Sequence, residues 1–184
     1  MQEYSADAAM ENAGSRRVES LYEWVGMAVS SLIAVVLIFT FLFRIVGVDG
    51  DSMQNTLMDH DRLLLSVLPH TPQRGDIVVI SRDNSEPLIK RVIGVAGDTI
   101  EIDEERHQVI LNGKLLEEPY VDYPTPAFDM SGAVVVPQGT VFVMGDHRDD
   151  SHDSRWEDIG PVPVENILGH AVLRLWPFKW LVES

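Results

Sequence analysis

The chain has 184 residues, 45% of them hydrophobic and 23% charged, with a formal net charge of −15 at neutral pH. A field of that sign repels phosphate backbones and argues against nucleic-acid binding. The absence of cysteine excludes disulfides, thiolate metal sites and cysteine nucleophiles, while leaving the redox compartment open. The length suits one domain with an appendage.

Residues 1–20 are polar and read as a disordered or loosely helical tail. Residues 24–43, WVGMAVSSLIAVVLIFTFLF, then run for 20 positions without a charge or a proline. As a helix this stretch rises roughly 30 Å, the thickness of a bilayer's hydrocarbon core. Its only hydroxyls are Ser30, Ser31 and Thr40, too few for the polar stripe of a soluble core helix. A cleaved signal would have a shorter apolar region ending at small residues, whereas this one ends in Phe41, Leu42 and Phe43. The expectation is a transmembrane helix over residues 21–46, with Tyr22 and Trp24 at the interface. Arg16 and Arg17 before the span, against Arg44 after it, weigh towards a cytoplasmic N-terminus.

From residue 47 to 184 the pattern changes to short runs rich in Val, Ile and Leu, at 63–68, 77–81, 88–95, 99–103, 109–111, 141–144 and 170–175. Pro, Gly, Asn and Asp separate them, which predicts a mainly β, antiparallel sheet domain. Asn112-Gly113 is a hairpin turn signal, since both residues tolerate positive φ. Residues 117–139 hold four prolines and predict an irregular surface excursion. The part after residue 46 carries 24 acids and 11 bases, read as a solvated acidic surface.

Three elements of this domain carry reactive groups. The first, Asp49-Gly50-Asp51-Ser52-Met53-Gln54-Asn55-Thr56-Leu57, follows the apolar stretch directly; alone, Ser52 is an ordinary turn serine. The second runs from Leu88 to Asp98 and contains Lys90, one of three lysines. On an alternating strand Lys90 shares its face with Val92, and an ammonium facing apolar surroundings must pair with an acid or lose its proton. An exposed edge lysine is the ordinary alternative. The third runs from Val143 to Gly160 and is crowded with Asp, Ser, His and Arg. Counted from Asp146 as a calcium loop, it has Arg148 at a ligand position and lacks the required glycine. His147 and His152 have no third His or Cys nearby for zinc. A network of acids around Arg148 and Arg155 fits better, because guanidinium takes carboxylates in bidentate fashion. No metal and no cofactor are expected.

In this order, behind an apolar anchor, the elements resemble the bacterial type I signal peptidases over nearly all of residues 20–180. The family pattern Ser-Met-X-Pro-Thr-Leu meets Ser52 to Leu57. Lys-Arg-Val-Ile-Gly-Leu-Pro-Gly-Asp meets Lys90 to Asp98, and Gly-Asp-Asn-Arg-Asp-Asn-Ser-X-Asp-Ser-Arg meets Gly145 to Arg155. Asp61-Arg62 and the run from Arg74 to Val79 look like its intervening elements. The departures include Asn55 and Ala96 in place of prolines, His147 in place of an asparagine, and Gly50 where some members carry a hydroxyl.

The resemblance implies a membrane-anchored serine endopeptidase that removes signal peptides from exported preproteins. Ser52 would be the nucleophile and Lys90 the general base, a Ser–Lys variation on the triad theme. Ser151 would orient the Lys90 amine, and Asp153 and Arg155 would form an ion pair that holds the loop. Met53, Leu57 and Ile89 are expected as substrate-binding walls, and the Ser52 N–H as an oxyanion donor. Asn55 is expected to loosen the turn beyond the nucleophile. Trp176, Phe178 and Trp180 suit either the membrane interface or the core. The expected partners are preproteins and the lipid bilayer. Two rival readings are a self-cleaving regulator, against which the anchor and the lack of a DNA-binding segment count, and an inactive tethered binding module.

Overall fold

The computed structural model describes residues 3–82, 85–176 and 178–181. Its contacts divide the chain into two units, Met1–Leu42 and Phe43–Ser184.

The first unit is one helix, α1 (Glu3–Leu42). The polar N-terminal residues from Glu3 onwards are its opening turns, in keeping with the helical alternative for that segment. From Leu21 to Phe41 every side chain is exposed, although the stretch is almost wholly apolar. The 22 residues Leu21–Leu42 rise about 33 Å, enough to cross a bilayer. The hydroxyls of Ser30 and Thr40 turn back onto the helix, bonding the carbonyls of Gly26 at 2.8 Å and Val36 at 2.7 Å. Polar groups satisfied within the helix suit an apolar solvent.

The helix ends four residues earlier than its hydropathy predicts. Phe43–Gly47 forms β1 instead, paired antiparallel with β2 (Arg62–Ser66) from Phe43 opposite Ser66 to Gly47 opposite Arg62. Ile45 and Val46 resume the apolar run after Arg44, but their β-branched side chains suit a strand equally well, and a partner strand decides the matter.

The second unit is mainly β, as its spacing of short apolar runs predicts, with one 3-10 turn at Val164–Asn166. β3 (Ile77–Arg82), β4 (Ser85–Val95), β9 (Thr140–Met144), β10 (Val162–Pro163), β11 (Ile167–Trp176) and β12 (Lys179–Trp180) complete the larger sheet. Its order is β1-β2-β11-β3-β4-β9-β10, with β12 on β11. β5 (Thr99–Asp103), β6 (Gln108–Leu111), β7 (Lys114–Leu115) and β8 (Val134–Val135) form a smaller sheet in the order β7-β6-β5-β8. Asn112 and Gly113 link β6 to β7 with φ of 53° and 75°, the conformation of a type I′ hairpin.

The sheet separates its side chains by the period of two. Ile77 and Val79 join Met53, Leu57, Leu63 and Leu65 in one buried cluster, while Val78 and Ile80 join Val92, Val141 and Val143 in another. Phe142 and Met144 point into a third cluster with Ile93, Ile100 and Val109. Both faces of β3 and β9 are thus covered, which explains why they read as unbroken apolar runs. Trp176, Phe178 and Trp180 stand outside this core at 80%, 66% and 62% exposure.

Candidate active site

Ser52 lies in a run of turns between β1 and β2. Met53 and Leu57, 1% and 0% exposed, root this loop in the first cluster, and the Leu57 amide closes a helical turn on the Met53 carbonyl at 2.8 Å. Val48 N–H donates to Asp61 O at 2.8 Å, and Gly50 N–H to Asp59 Oδ1 at 3.0 Å. Arg174 holds the far end, bonding the Thr56 carbonyl at 3.1 Å and Asp61 at 3.2 Å. The loop is tied at both ends, and Ser52 projects from it half-buried.

Lys90 comes from the centre of β4, opposite Val78 in the register. Alternation puts it on the face of Val78 and Val92, both 0% exposed, and Lys90 itself is 2% exposed. Its Nζ lies 2.6 Å from Ser52 Oγ. The amine is pushed down from 10.5 to about 8, chiefly by burial. The nearby Asp153 carboxylate opposes the shift, and the Arg155 guanidinium offsets Asp153.

Ser151, Asp153 and Arg155 stand together behind the end of β9. Arg155 grips Asp153 through Nε and Nη2, each at 2.8 Å, and both residues are fully buried. The Gly145 N–H meets Ser151 Oγ at 3.1 Å and Asp153 Oδ2 at 3.0 Å. Among the described residues Ser151 makes no hydrogen bond to Lys90; it supports the Gly145 backbone. Gly145 is a position of the site that polar residue types do not mark. A Cβ there would collide with both Ser151 Oγ and the Ser52 carbonyl oxygen, so only glycine lets the Ser52 loop lie against the end of β9. Glycine beside an acidic loop was the available signal.

Other arginines pair differently from the expectation of acids within one motif. Arg148, 0% exposed, takes its carboxylate from Glu118 in the irregular excursion, with Nη1 at 2.9 Å from Oε2. Arg91 clamps Asp146 at 2.9 and 2.7 Å and reaches Thr56 Oγ1 at 3.3 Å. Arg74 bonds Asp98, holding that carboxyl down at about 2. Of the two histidines, His152 bonds Asp158 at 2.8 Å. His147 N–H donates to the Ser52 carbonyl at 3.1 Å, and its ring stacks on Tyr123 at 3.9 Å. Among the described residues no group of three or more His, Cys, Asp or Glu is disposed to hold a metal ion.

A cavity of about 460 Å³ opens beside Ser52, lined by Val46, Met53, Leu65, Val79, Leu88 and Ile89 with Arg44, Asp49 and Glu86. Met53 and Ile89 are on its wall. Leu57 is not: fully buried and absent from the lining, it is a core residue, because the helical turn after Ser52 aims it inward. The cavity runs between two strand edges. β1 ends the sheet order, and β4 pairs with β9 only from Arg91 onward, so residues 85–90 have no strand partner on that side among the described residues. Open strand edges of this kind accept an extended peptide by strand addition.

Asn55 also differs from its expected role. It adopts φ 76°, which a proline ring locked near −65° cannot reach, and its Nδ2 bonds Asp122 Oδ2 at 2.9 Å. The turn is tethered where it was expected to be loosened. Ala96 occupies an exposed turn closed by Asp98 N–H to Val95 O at 2.9 Å, with Gly97 at φ 90°.

Residues 21–176 match the family model described as signal peptidase, peptidase S26. The chain is 35% identical to a probable signal peptidase I-2 of Synechocystis over 89% of its own length and 79% of that protein. It is 34% identical to signal peptidase I S of Bacillus subtilis over 92% and 97%, and 36% identical to a signal peptidase I of Leptolyngbya laminosa over 83% and 78%.

Proposed function

The chain belongs to the signal peptidase family S26, and within it we propose that Ser52 is the nucleophile and Lys90 its general base. It is a single-pass membrane serine endopeptidase that removes signal peptides. The observation carrying the assignment is the 2.6 Å approach of Lys90 Nζ to Ser52 Oγ, with the amine buried and its pKa near 8. Moving the amine from 10.5 to about 8 raises its neutral fraction at pH 7 about 300-fold.

Neutral Lys90 takes the Ser52 proton as Oγ attacks the scissile carbonyl. The oxyanion forms beside the Ser52 N–H, for which no protein acceptor exists among the described residues. Gly50 adds no hydroxyl to this hole, and its φ of 90° disfavours any side chain there. Collapse of the tetrahedral adduct breaks the C–N bond, and Lys90 returns its proton to the leaving amine, giving an acyl-Ser52. Lys90 then deprotonates a water that attacks the ester, and as the C–Oγ bond breaks it returns that proton to Ser52 Oγ. Ser151, Asp153 and Arg155 serve this site by fixing the Gly145 backbone, against which the nucleophile loop rests.

The signal peptide docks extended between β1 and β4, its small residues against Met53 and Ile89, where larger side chains are rejected by overlap. We place the N-terminus in the cytoplasm from Arg16 and Arg17, and the peptidase unit on the opposite side, with Trp176, Phe178 and Trp180 at the lipid interface. The domain limits follow as a helical segment to Leu42 and a peptidase unit from Phe43. Ser52→Ala and Lys90→Ala should each abolish cleavage of an Ala-X-Ala peptide with the circular dichroism of the β domain unchanged; turnover by purified Lys90→Ala overturns the assignment.

A further inference from the structure

We propose that Asn55 and Asp122 are positioning residues that hold the Ser52 loop in register with the strand carrying Lys90; this rests on the dyad assignment above. Dyad geometry requires two independent pieces of backbone, the turn after β1 and the middle of β4, to agree within a fraction of an ångström. The segment around residues 118–123 touches both. On the framework side Glu118 is paired with Arg148, the Tyr120 ring sits 4.0 Å from the Arg91 guanidinium, and Tyr123 stacks on His147. Arg91 is the residue after Lys90, so Tyr120 packs on the strand that presents the base. Tyr120 O–H also donates to Glu118 at 2.9 Å, tying these contacts into one strap.

On the nucleophile side, the strap's only side-chain hydrogen bond to residues 50–57, among the described residues, is Asn55 Nδ2 to Asp122 Oδ2. Asn55 is three residues beyond Ser52 and stands in the left-handed region, which asparagine tolerates better than most residues. The side chain leaves the turn in that conformation and reaches across 67 positions of sequence to the strap. A bond of this kind is exposed and adds little stability. Its effect falls on orientation, where displacements below 1 Å matter far more to rate than to folding.

The test uses the full-length enzyme in detergent and the Ala-X-Ala peptide. Asn55→Asp sets a carboxylate against Asp122 while keeping a residue that tolerates positive φ. It should lower kcat about five- to tenfold with KM unchanged. The reversed pair, Asn55→Asp with Asp122→Asn, restores a donor and an acceptor and should return kcat to within about twofold of the parent. Asp122→Ala, altering only an exposed strap residue, should lower kcat as Asn55→Asp does. Parental kcat in both single variants, no recovery in the reversed pair, or a loss carried by KM overturns the proposal. Ser52→Ala runs alongside: its inactivity with unaffected Asn55 variants rejects the strap alone, whereas activity in Ser52→Ala rejects the dyad.

Discussion

Replacing Lys90 by methionine removes a charge that the fold holds unfavourably, so the variant should be the more stable protein. In the unfolded chain the amine titrates near 10.5; in the fold it titrates at about 8. Above pH 10.5 both states carry a neutral amine and the lysine imposes no penalty. Between those values the unfolded chain holds the proton and the folded one does not, so wild-type stability rises with pH. Below pH 8 both are protonated and the penalty is complete, about 3 kcal/mol. Solvent screening removes little of this, since Lys90 is 2% exposed. Methionine has a similar stem and no titrating group, and Asp153 keeps Arg155 as its partner. Urea unfolding in detergent, followed by tryptophan fluorescence, should show Lys90→Met about 3 kcal/mol more stable than wild type at pH 6.5. That gain should shrink through pH 8 to 10. A gain that is absent at pH 6.5, or equal at pH 6.5 and 10, refutes the reasoning.

The same titration governs rate: kcat/KM should climb about tenfold per pH unit below an apparent pKa near 8 and level above it, and a limb at 10 or higher in stopped assays would contradict a desolvated base. Gly145→Ala should reduce cleavage at least about a hundredfold, because its methyl displaces the Ser52 carbonyl; kinetics with the Ala-X-Ala peptide check it. Leu57→Ala should destabilise by about 2–5 kcal/mol as a core truncation, with KM unaltered in the folded fraction, as unfolding curves and kinetics together would reveal.

The sequence disclosed most where a local period or an ordered set of motifs carries the information. β3 and β9 were legible as apolar runs, the Asn112-Gly113 hairpin from its residue types, and Ser52 with Lys90 from elements in family order. What stayed hidden depends on the partner across the gap. Ile45 and Val46 resume the apolar run after Arg44, and pairing with β2 makes residues 43–47 a strand. Leu57 shares the serine element's composition with Met53, yet the turn that presents Met53 to the cavity turns Leu57 into the core. Asn55 reads as a missing proline until its φ is known. Glu118 is one acid among 29 acidic residues, and nothing local marks it as the partner of Arg148.

The surroundings of the dyad also explain how an acidic protein keeps one amine weakly basic. Excess carboxylate near Lys90 would hold its proton and raise its pKa. The buried carboxylates of this region are instead matched to guanidiniums: Asp146 to Arg91, Asp153 to Arg155 and Glu118 to Arg148. Guanidinium remains charged throughout the working range and engages a carboxylate along two parallel bonds, so each pair presents little net field to its neighbour. Among the described residues, no buried side-chain nitrogen or oxygen lacks a hydrogen-bond partner. The three pairs tie β4, the acidic loop and the strap together, and burial is left as the largest influence on the amine, ahead of the opposing pull of Asp153, Asp146 and Asp150. Arginine, and not lysine, is needed at those positions, because a lysine partner could yield its proton and leave a buried carboxylate to recharge Lys90.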